Sequence, residues 1–324
     1  MLKYFRRTSI RVKDWAKDFV KPALETRELT IPLVVLSVAC FLLWKKNVLG
    51  WAEFGLNAFT EILGIIVTIV FVDQLIRQQE LRRTLPLQAA AYEDVRILTT
   101  RIIQFWAGAF YQAVPQSIPL ILAKMLEPSL DFSVSPTTPP SSVEQLFSLE
   151  SINVIRLCLD LDSQPNVAPP RTWWEWLPQQ EQEFYSRAER ILERHAANLE
   201  PEAYALVHQL MNNFLHADTG MRIIGTIKQY DQQEGFPRPH NLAAYWGTTA
   251  EALETVVKLN KWCIQKKRFL EKNGIVELRD PILELNPETS SSPRCMIDPD
   301  KLIQSALAVQ AYQEQLEKQK TSSK

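Results

Sequence analysis

LTIPLVVLSVACFLLW at residues 29–44 and FGLNAFTEILGIIVTIVFVDQLI at residues 54–76 are two apolar runs that lie nine residues apart. A helix must be ~20 residues long to cross the ~30 Å hydrocarbon core of a bilayer. The first run spans ~24 Å at ~1.5 Å per residue, so it must continue through Val48–Leu49 while Lys45 and Lys46 extend outward. The second run is long enough only if it begins near Phe54. The pair therefore predicts a transmembrane helical hairpin over residues 29–76.

Two processing signals are alternative explanations of the N-terminal sequence: a secretory signal peptide and an organellar transit peptide. A secretory signal peptide would explain the first run, but no small-residue cleavage site follows it and the second run comes too soon. Residues 1–28 form a basic segment in which Leu2, Phe5, Val12, Trp15 and Phe19 recur at helical spacing. This pattern is typical of a helix lying on an anionic membrane surface, and also of an organellar transit peptide, although Asp14 and Asp18 argue against the latter.

The distribution of Lys and Arg predicts the orientation of the hairpin. Eight of these residues lie within positions 1–28, and Arg77, Arg82 and Arg83 follow the second run, whereas the connection contains only Lys45 and Lys46. Positive residues are retained on the cytoplasmic side. We therefore expect a multi-pass protein of the cell (inner) membrane with its N-terminus and its C-terminal domain in the cytoplasm.

One face of the second run is polar. Asn57, Glu61, Gly64 and Thr68 are four, three and four residues apart, which places them on the same side of a helix. Three explanations remain open. The face packs against Ser37 and Cys40 of the first helix, or it lines an oligomeric pore or proton site, or Glu61 sits at the interface of a thinned bilayer.

Residues 77–324 are predicted to be a cytoplasmic helical domain, and the whole chain to be all-α. The stripe Val95, Leu98, Ile102, Phe105 and Ala109 has helical spacing, and Pro86 is expected to kink or restart the helix before it. A Pro- and Ser-rich loop is expected at 129–142 and a second loop at 277–293. The expected helices of this bundle lie near 118–126, 143–162, 178–199, 201–216, 221–233, 241–273 and 299–320.

Composition and charge narrow the classes of function. The net charge is +3 over residues 1–76 and −4 over 77–324. A mildly acidic domain is a poor fit to nucleic acid, so no nucleic acid partner is expected. Cys40, Cys158, Cys263 and Cys295 show no paired spacing and predict free thiols. The chain contains no phosphate-binding, hydrolase or zinc-protease motif, so no catalytic residue, cofactor or metal is predicted.

Three groups of residues are candidate sites. Arg190 and His195 match the loose Arg-x4-His pattern of HEPN-type ribonucleases, with a solvated helix face as the alternative. His208, His216 and Asp218 are close in sequence but lack the spacing of a metal site. Trp173, Trp174 and Trp176 are expected to pack on the bundle or to contact a partner or membrane surface.

The segment from Glu61 to Trp106, EILGIIVTIVFVDQLIRQQELRRTLP…YEDVRILTTRIIQFW, resembles an arrangement in uncharacterised bacterial two-transmembrane-helix proteins with a C-terminal helical cytoplasmic domain. In these proteins the second membrane helix ends at Asp-x-Leu and continues through Arg pairs into a helical domain. The later ILERHAANLEPEAYALVHQL is similar to them as well. The resemblance covers about half of the chain, and it implies a topology but no activity.

These observations predict a non-enzymatic membrane-anchored module that organises or regulates partners at the cytoplasmic face. Its expected partners are the lipid bilayer and either further copies of the chain or another protein. An oligomeric channel or membrane-permeabilising effector that uses the Glu61 face is the first alternative. A membrane-tethered ribonuclease that uses Arg190 and His195 is the second.

Overall fold

The computed structural model describes residues 27–46, 52–117, 138–215, 222–247, 249–287 and 290–322. Helices joined by loops account for this part of the chain, with isolated β-bridges in place of strands. The predicted all-α class is therefore confirmed for the described residues. The chain divides into two compact units, Met1–Thr84 and Leu85–Lys324. The basic segment 1–28 lies almost wholly outside the described residues, and the expected domain boundaries stay a prediction.

Two helices belong to the N-terminal part. Helix α1 is Arg27–Lys46, and helix α2 is Ala52–Ala113, which continues from the first unit into the second. Pro86 lies inside α2, so the expected restart of the helix at this residue is wrong. Proline removes one backbone hydrogen bond from a helix. Position 86 is exposed, so water can satisfy the carbonyl that this leaves free, while the turns on both sides remain helical.

The apolar part of α2 is suited to a bilayer. The segment Glu53–Ala113 has an 18-residue window with a mean hydropathy of 2.0, of which 6% is buried. By length and composition, this is the one helix of the described chain that meets the requirements of a membrane span. Most apolar side chains of globular domains are buried, so the exposure of this window sets it apart from a core helix.

The second unit contains seven further α-helices among its described residues. They are α3 (Val143–Leu146), α4 (Leu149–Cys158), α5 (Trp173–His195), α6 (Pro201–Gln209), α7 (Arg222–Glu234), α8 (Ala250–Lys272) and α9 (Pro299–Ser322). A short π-helix, Leu210–Leu215, extends α6, and a single 3₁₀ turn covers Leu242–Ala244. The expected helix near 118–126 lies outside the described residues.

Local sequence signals set several helix ends as predicted. The Ser142 hydroxyl accepts a hydrogen bond from the Gln145 amide at 3.3 Å, and the Asp298 carboxylate accepts one from the Asp300 amide at 2.9 Å. Pro201 opens α6, and Gly274 follows α8 with a φ of 93°. Each residue supplies what a helix terminus lacks: an acceptor, a preset φ or a left-handed backbone.

Several helix boundaries differ from expectation. The helix expected over 143–162 is two helices, α3 and α4, separated by Phe147 and Ser148, and α5 ends at His195 rather than near 199. Helix α5 begins at Trp173 rather than near 178, with Pro178 inside it, because the Glu175 carboxylate accepts a hydrogen bond from the Thr172 amide at 3.2 Å and so completes a capping box at this end. Helix α8 begins at Ala250 rather than near 241, because the Thr249 hydroxyl caps it through the Ala252 amide at 3.2 Å. The loop predicted at 277–293 is confirmed where the structure describes it.

The second half of α2 provides the core of the second unit. Its fully buried side chains include Tyr92, Val95, Leu98, Ile102 and Trp106. Trp106 stacks on Trp246 with 4.9 Å between ring centroids, and Phe105 contacts the rings of Trp173 and Phe184 of α5. The stripe predicted from periodicity is therefore the packing face of the helix, with Phe105 its only partly exposed member.

Candidate functional site

The predicted polar face of α2 is exposed. Asn57, Glu61, Gly64 and Thr68 all lie on the surface of the first unit. Glu61, Gly64 and Thr68 line a shallow open groove of about 440 Å³, together with Ile65 and Ile69. The Thr68 hydroxyl donates to the Gly64 carbonyl at 2.8 Å, so its polarity is satisfied within the helix. Among the described residues, Glu61 has no hydrogen-bonding or ion-pairing partner.

The close approach of α1 and α2 occurs at a different glycine from the expected one. A Cβ on Gly55 would lie 2.8 Å from the Trp44 amide nitrogen and 2.9 Å from the Cys40 carbonyl oxygen. A Cβ on Gly64 would meet no atom within 4 Å. The expectation that Gly64 packs against Ser37 and Cys40 is therefore wrong within this chain, although Ser37 and Cys40 are buried. The close backbone contact of the two helices therefore lies at Gly55, nine residues before Gly64.

The two residues of the ribonuclease-like pattern bind different partners. The Arg190 guanidinium donates to the Ser186 carbonyl at 3.0 Å, one turn back in α5. His195 Nε2 lies 2.9 Å from Asp94 Oδ2 on α2. The two side chains thus point to separate contacts, and the arrangement gives the ribonuclease interpretation no support.

The candidate histidines, tryptophans and cysteines make contacts that are typical of a folded core or a helix surface. His208 is exposed, and its Nδ1 lies 3.1 Å from the Asn212 amide nitrogen, whereas His216 and Asp218 fall outside the described residues. No group of three or more potential ligands for a metal ion occurs in the described segments. Trp173 and Trp174 are buried, as expected of residues that pack on the bundle. All four cysteines are free and buried, which confirms the prediction of unpaired thiols.

A polar cluster that the sequence did not reveal forms where three connections meet. The segment after α4 pairs with two distant loops through the bridges Leu159–Met296 and Asp160–Asn241. Asp162 Oδ2 lies 2.7 Å from His240 Nδ1, and Asp162 Oδ1 accepts a hydrogen bond from Trp174 Nε1 at 2.7 Å. We refer to Asp160, Asp162, Trp174, Lys228 and His240 as the Asp162–His240 cluster.

A partly buried ion pair lies beside this cluster. Asp231 is buried and accepts hydrogen bonds from the Arg238 guanidinium at 2.7 and 3.2 Å. The Tyr245 hydroxyl donates to the same carboxylate at 3.1 Å, and the Tyr245 ring lies edge-on to Trp174. Burial raises the pKa of Tyr245, which therefore remains a neutral phenol. The loop that carries His240 is fixed at both sides by these contacts.

The two aspartates of the cluster differ in their electrostatics. Burial raises the pKa of Asp160 above its ordinary value, and the charge of Asp162 adds to this effect. Burial alone would also raise the pKa of Asp162, but hydrogen bonds from His240 and Trp174 outweigh it and the net direction is downward. Asp162 is therefore the carboxylate that stays ionised and orients the imidazole.

Sequence spacing could not have identified this cluster, because His240 and Asp162 are 78 residues apart. The available signal was weak: both lie in proline-containing connections, LDLDSQP and FPRPHN, rather than on helix faces. Functional side chains are often carried by loops on a rigid scaffold. No protein-family model, curated protein or solved structure matches this chain.

Proposed function

We propose that this protein is a membrane-anchored helical module that organises or regulates partners at the cytoplasmic membrane face. The exposure of the apolar part of α2 carries the proposal. Leu63, Ile65, Val67, Phe71 and Val72 are each more than 44% exposed. Burying one such side chain is worth about 1.5–3 kcal/mol, so a surface of this kind is stable only against lipid or another apolar partner.

A two-helix hairpin is the anchor that we propose. The backbone contact at Gly55 supports it, because it brings α1 and α2 together next to the short connection between them. The rings of Phe41 and Phe59 add an aromatic contact across the pair, with centroids 5.4 Å apart. The excess of Lys and Arg on both flanks, compared with two in the connection, favours cytoplasmic termini.

The charged side chains at the end of the apolar segment fit the same proposal. Asp73 and Arg77 form an ion pair at 2.9 Å on successive turns of α2. A paired carboxylate and guanidinium are tolerated at a lipid interface more readily than single charges are. Beyond Arg77, the sequence RQQELRR is strongly polar, which places the end of the proposed span close to Ile76.

Membrane extraction and protease protection test the anchor. We expect the full-length protein to resist extraction with alkaline carbonate, and a C-terminal tag to be cut by protease only when the cytoplasmic side is accessible. Replacing Ile65 and Val67 by Lys should cost about 2.5–3.5 kcal/mol per residue in insertion and release the protein. Leu149→Lys, at an exposed position of the second unit, is the matched control. Complete release of the unmodified protein by carbonate would overturn the proposal.

The groove at Glu61 favours an alternative function, in which several copies of the chain assemble into an oligomer that conducts ions or permeabilises the membrane. Glu61 has no partner among the described residues, and such a carboxyl group is costly inside a bilayer. A second copy that supplies a hydrogen bond would stabilise it. We expect Glu61→Gln to assemble normally but to change conductance in planar bilayers. Glu80→Gln, the same substitution at an exposed position of α2 beyond the apolar segment, is the control. A strictly monomeric detergent-extracted protein would rule this alternative out.

A further inference from the structure

His240 is fixed through both its backbone and its ring. Its carbonyl oxygen accepts a hydrogen bond from the Leu161 amide at 2.8 Å. The next residue, Asn241, is buried and donates to the Leu157 carbonyl at 3.1 Å. The imidazole is then held by Asp162 at 2.7 Å. These contacts fix the ring with respect to α4, which is the pre-organisation that an acid–base group requires.

The hydrogen bond to Asp162 also sets the tautomer of the ring. An ionised carboxylate can only accept, so Nδ1 of His240 carries the proton and Nε2 of the neutral ring keeps its lone pair. The Trp174 indole occupies the other oxygen of Asp162, which prevents the carboxylate from rotating away. The His240 side chain is 46% exposed, and Nε2 has no hydrogen-bonding partner among the described residues.

The other described histidines lack this combination. His195 uses Nε2 to contact Asp94 and its side chain is only 12% exposed. His208 is exposed, but its ring contacts an amide of its own helical turn rather than a carboxylate. His240 alone among these three pairs an orienting carboxylate with an available Nε2, as the general base of a hydrolase does.

The charges around His240 favour an uncharged substrate. The Lys228 ammonium lies 4.2 Å from the centroid of the Trp174 ring, and its charge lowers the pKa of Asp162. The Lys301 ammonium acts on Asp160 in the same way. Two carboxylates and two ammonium groups balance, so the site offers no excess positive charge to hold a phosphate dianion. The rings of Trp174 and Tyr245 add apolar surface.

We propose that Asp162 and His240 form a general-base pair that hydrolyses a small carboxylic ester. Nε2 of His240 takes a proton from a water molecule as the water oxygen bonds to the acyl carbon. The bond between that carbon and the leaving oxygen then breaks, and the proton passes from His240 to the leaving alcohol. Water is the only co-reactant, and Asp162 stays ionised as the positioning residue.

The test uses the full-length protein in detergent micelles with p-nitrophenyl acetate as the probe. We expect His240→Ala to lower the rate of p-nitrophenol release about 100-fold, the lower end of the range for general bases. His208→Ala, at the other exposed histidine, should leave the rate unchanged. Thermal unfolding by circular dichroism checks that both variants are folded, and His240→Gln serves as a second replacement of similar size.

Asp162→Asn separates positioning from mere structure. Because a neutral amide holds the Nδ1-protonated tautomer of His240 less firmly than a carboxylate does, kcat should fall while the KM for the ester stays unchanged. Asp162→Glu should restore part of the rate.

An unchanged rate in His240→Ala, or an equal loss in His208→Ala, would overturn the proposal. Cleavage of p-nitrophenyl phosphate but not of the acetate would overturn the substrate class. Ester hydrolysis at His240 would also refute the prediction of a non-enzymatic module, but leave the membrane anchor unaffected.

Discussion

The two halves of helix α2 are both rich in apolar residues, yet the second half is buried and the first is not. Leu98, Ile102 and Ile103 in the second half are completely buried, whereas Val67 and Phe71 in the first half are 59% and 57% exposed. The sequence of each half accounts for the difference. Charged residues interrupt the second half so that one stripe is apolar, while the first half is apolar on nearly every side.

This difference shows that apolar content alone does not identify a core. A stripe matches a neighbouring helix or loop and excludes water on one side, whereas an apolar cylinder needs an apolar environment all around it. Packing within the chain can cover an apolar stripe, whereas only lipid or other copies of the chain can surround an apolar cylinder.

Removing the largest buried ring should affect the second half alone. Trp106→Ala leaves a cavity opposite Trp246 and should lower the free energy of unfolding of the second unit by about 3–5 kcal/mol. In a domain of this size the melting temperature should fall by about 10 °C, as measured by circular dichroism in detergent micelles. Phe71→Ala removes an exposed ring from the first half and should leave this transition unchanged. Equal shifts in both variants would contradict the contrast between the halves.

The stability of the second unit should depend on the hydrogen bonds of a buried charge, Lys266. Glu61 of the first unit differs, because it has no partner among the described residues. The Lys266 ammonium is buried and donates to Glu200 Oε1 at 2.7 Å and to Gln88 Oε1 of α2 at 2.8 Å. Lys266→Ala should destabilise the unit by about 2–3 kcal/mol, because it removes the Lys266 hydrogen bonds to Glu200 Oε1 and Gln88 Oε1. Lys258→Ala, which breaks an exposed pair with Glu254, should change stability by about 0.5 kcal/mol or less in urea unfolding.

The same pair predicts a dependence of stability on pH. Burial alone would raise the pKa of Glu200, but hydrogen bonds from Lys266 and Trp262 outweigh it, so its pKa lies below the ordinary 4.5. Because the pKa of Glu200 is lower in the folded than in the unfolded state, its ionised carboxylate stabilises the folded state above pH 4.5. This stabilisation is lost as the pH falls through the pKa of the folded state. Urea midpoints should therefore decrease below pH 4.5, and the decrease should be smaller in Glu200→Gln. The same slope in both proteins would exclude Glu200 as its source.

Enlarging Gly55 should separate the helices of the first unit. Gly55→Leu places a side chain where backbone atoms of Cys40 and Trp44 leave no room, and overpacking of this kind costs about 1–3 kcal/mol. We expect unfolding at lower sodium dodecyl sulfate concentration in detergent micelles, followed by circular dichroism. Gly64→Leu, at an open position, is the control and should unfold like the unmodified protein. If both variants unfold alike, the helices do not meet at Gly55.

The smallest difference in stability is expected within α5, between a variant of His195, which contacts α2, and a variant of Arg190, which lies on the surface. His195→Ala removes the contact with Asp94 of α2 and should cost about 0.5–1.5 kcal/mol. Arg190→Ala removes only a hydrogen bond within its own helix and should fall within about 0.5 kcal/mol of the unmodified protein. Thermal unfolding measures both, and a larger loss from Arg190→Ala would indicate a role for this arginine that the fold does not show.

Local chemistry made several parts of the fold predictable. The helix ends at Ser142, Pro201, Gly274 and Asp298 follow from residues that satisfy or terminate a helix within one turn. The buried stripe of α2 follows from a period that needs no knowledge of its partner. The start of α5 at Trp173 and the continuation of α2 through Pro86 differ from expectation, because the surrounding turns override the preference of a single proline.

The sequence by itself determined that the described segments are helical, that residues 54–76 form an apolar helix, and that residues 85–113 present a stripe to a core. Such properties depend on residues within one or two turns of each other. Only the tertiary structure decided that the helices meet at Gly55 rather than Gly64, and that Asp162 orients His240. Contacts between distant segments depend on how loops and helices pack, and the spacing of residues along the chain does not encode them.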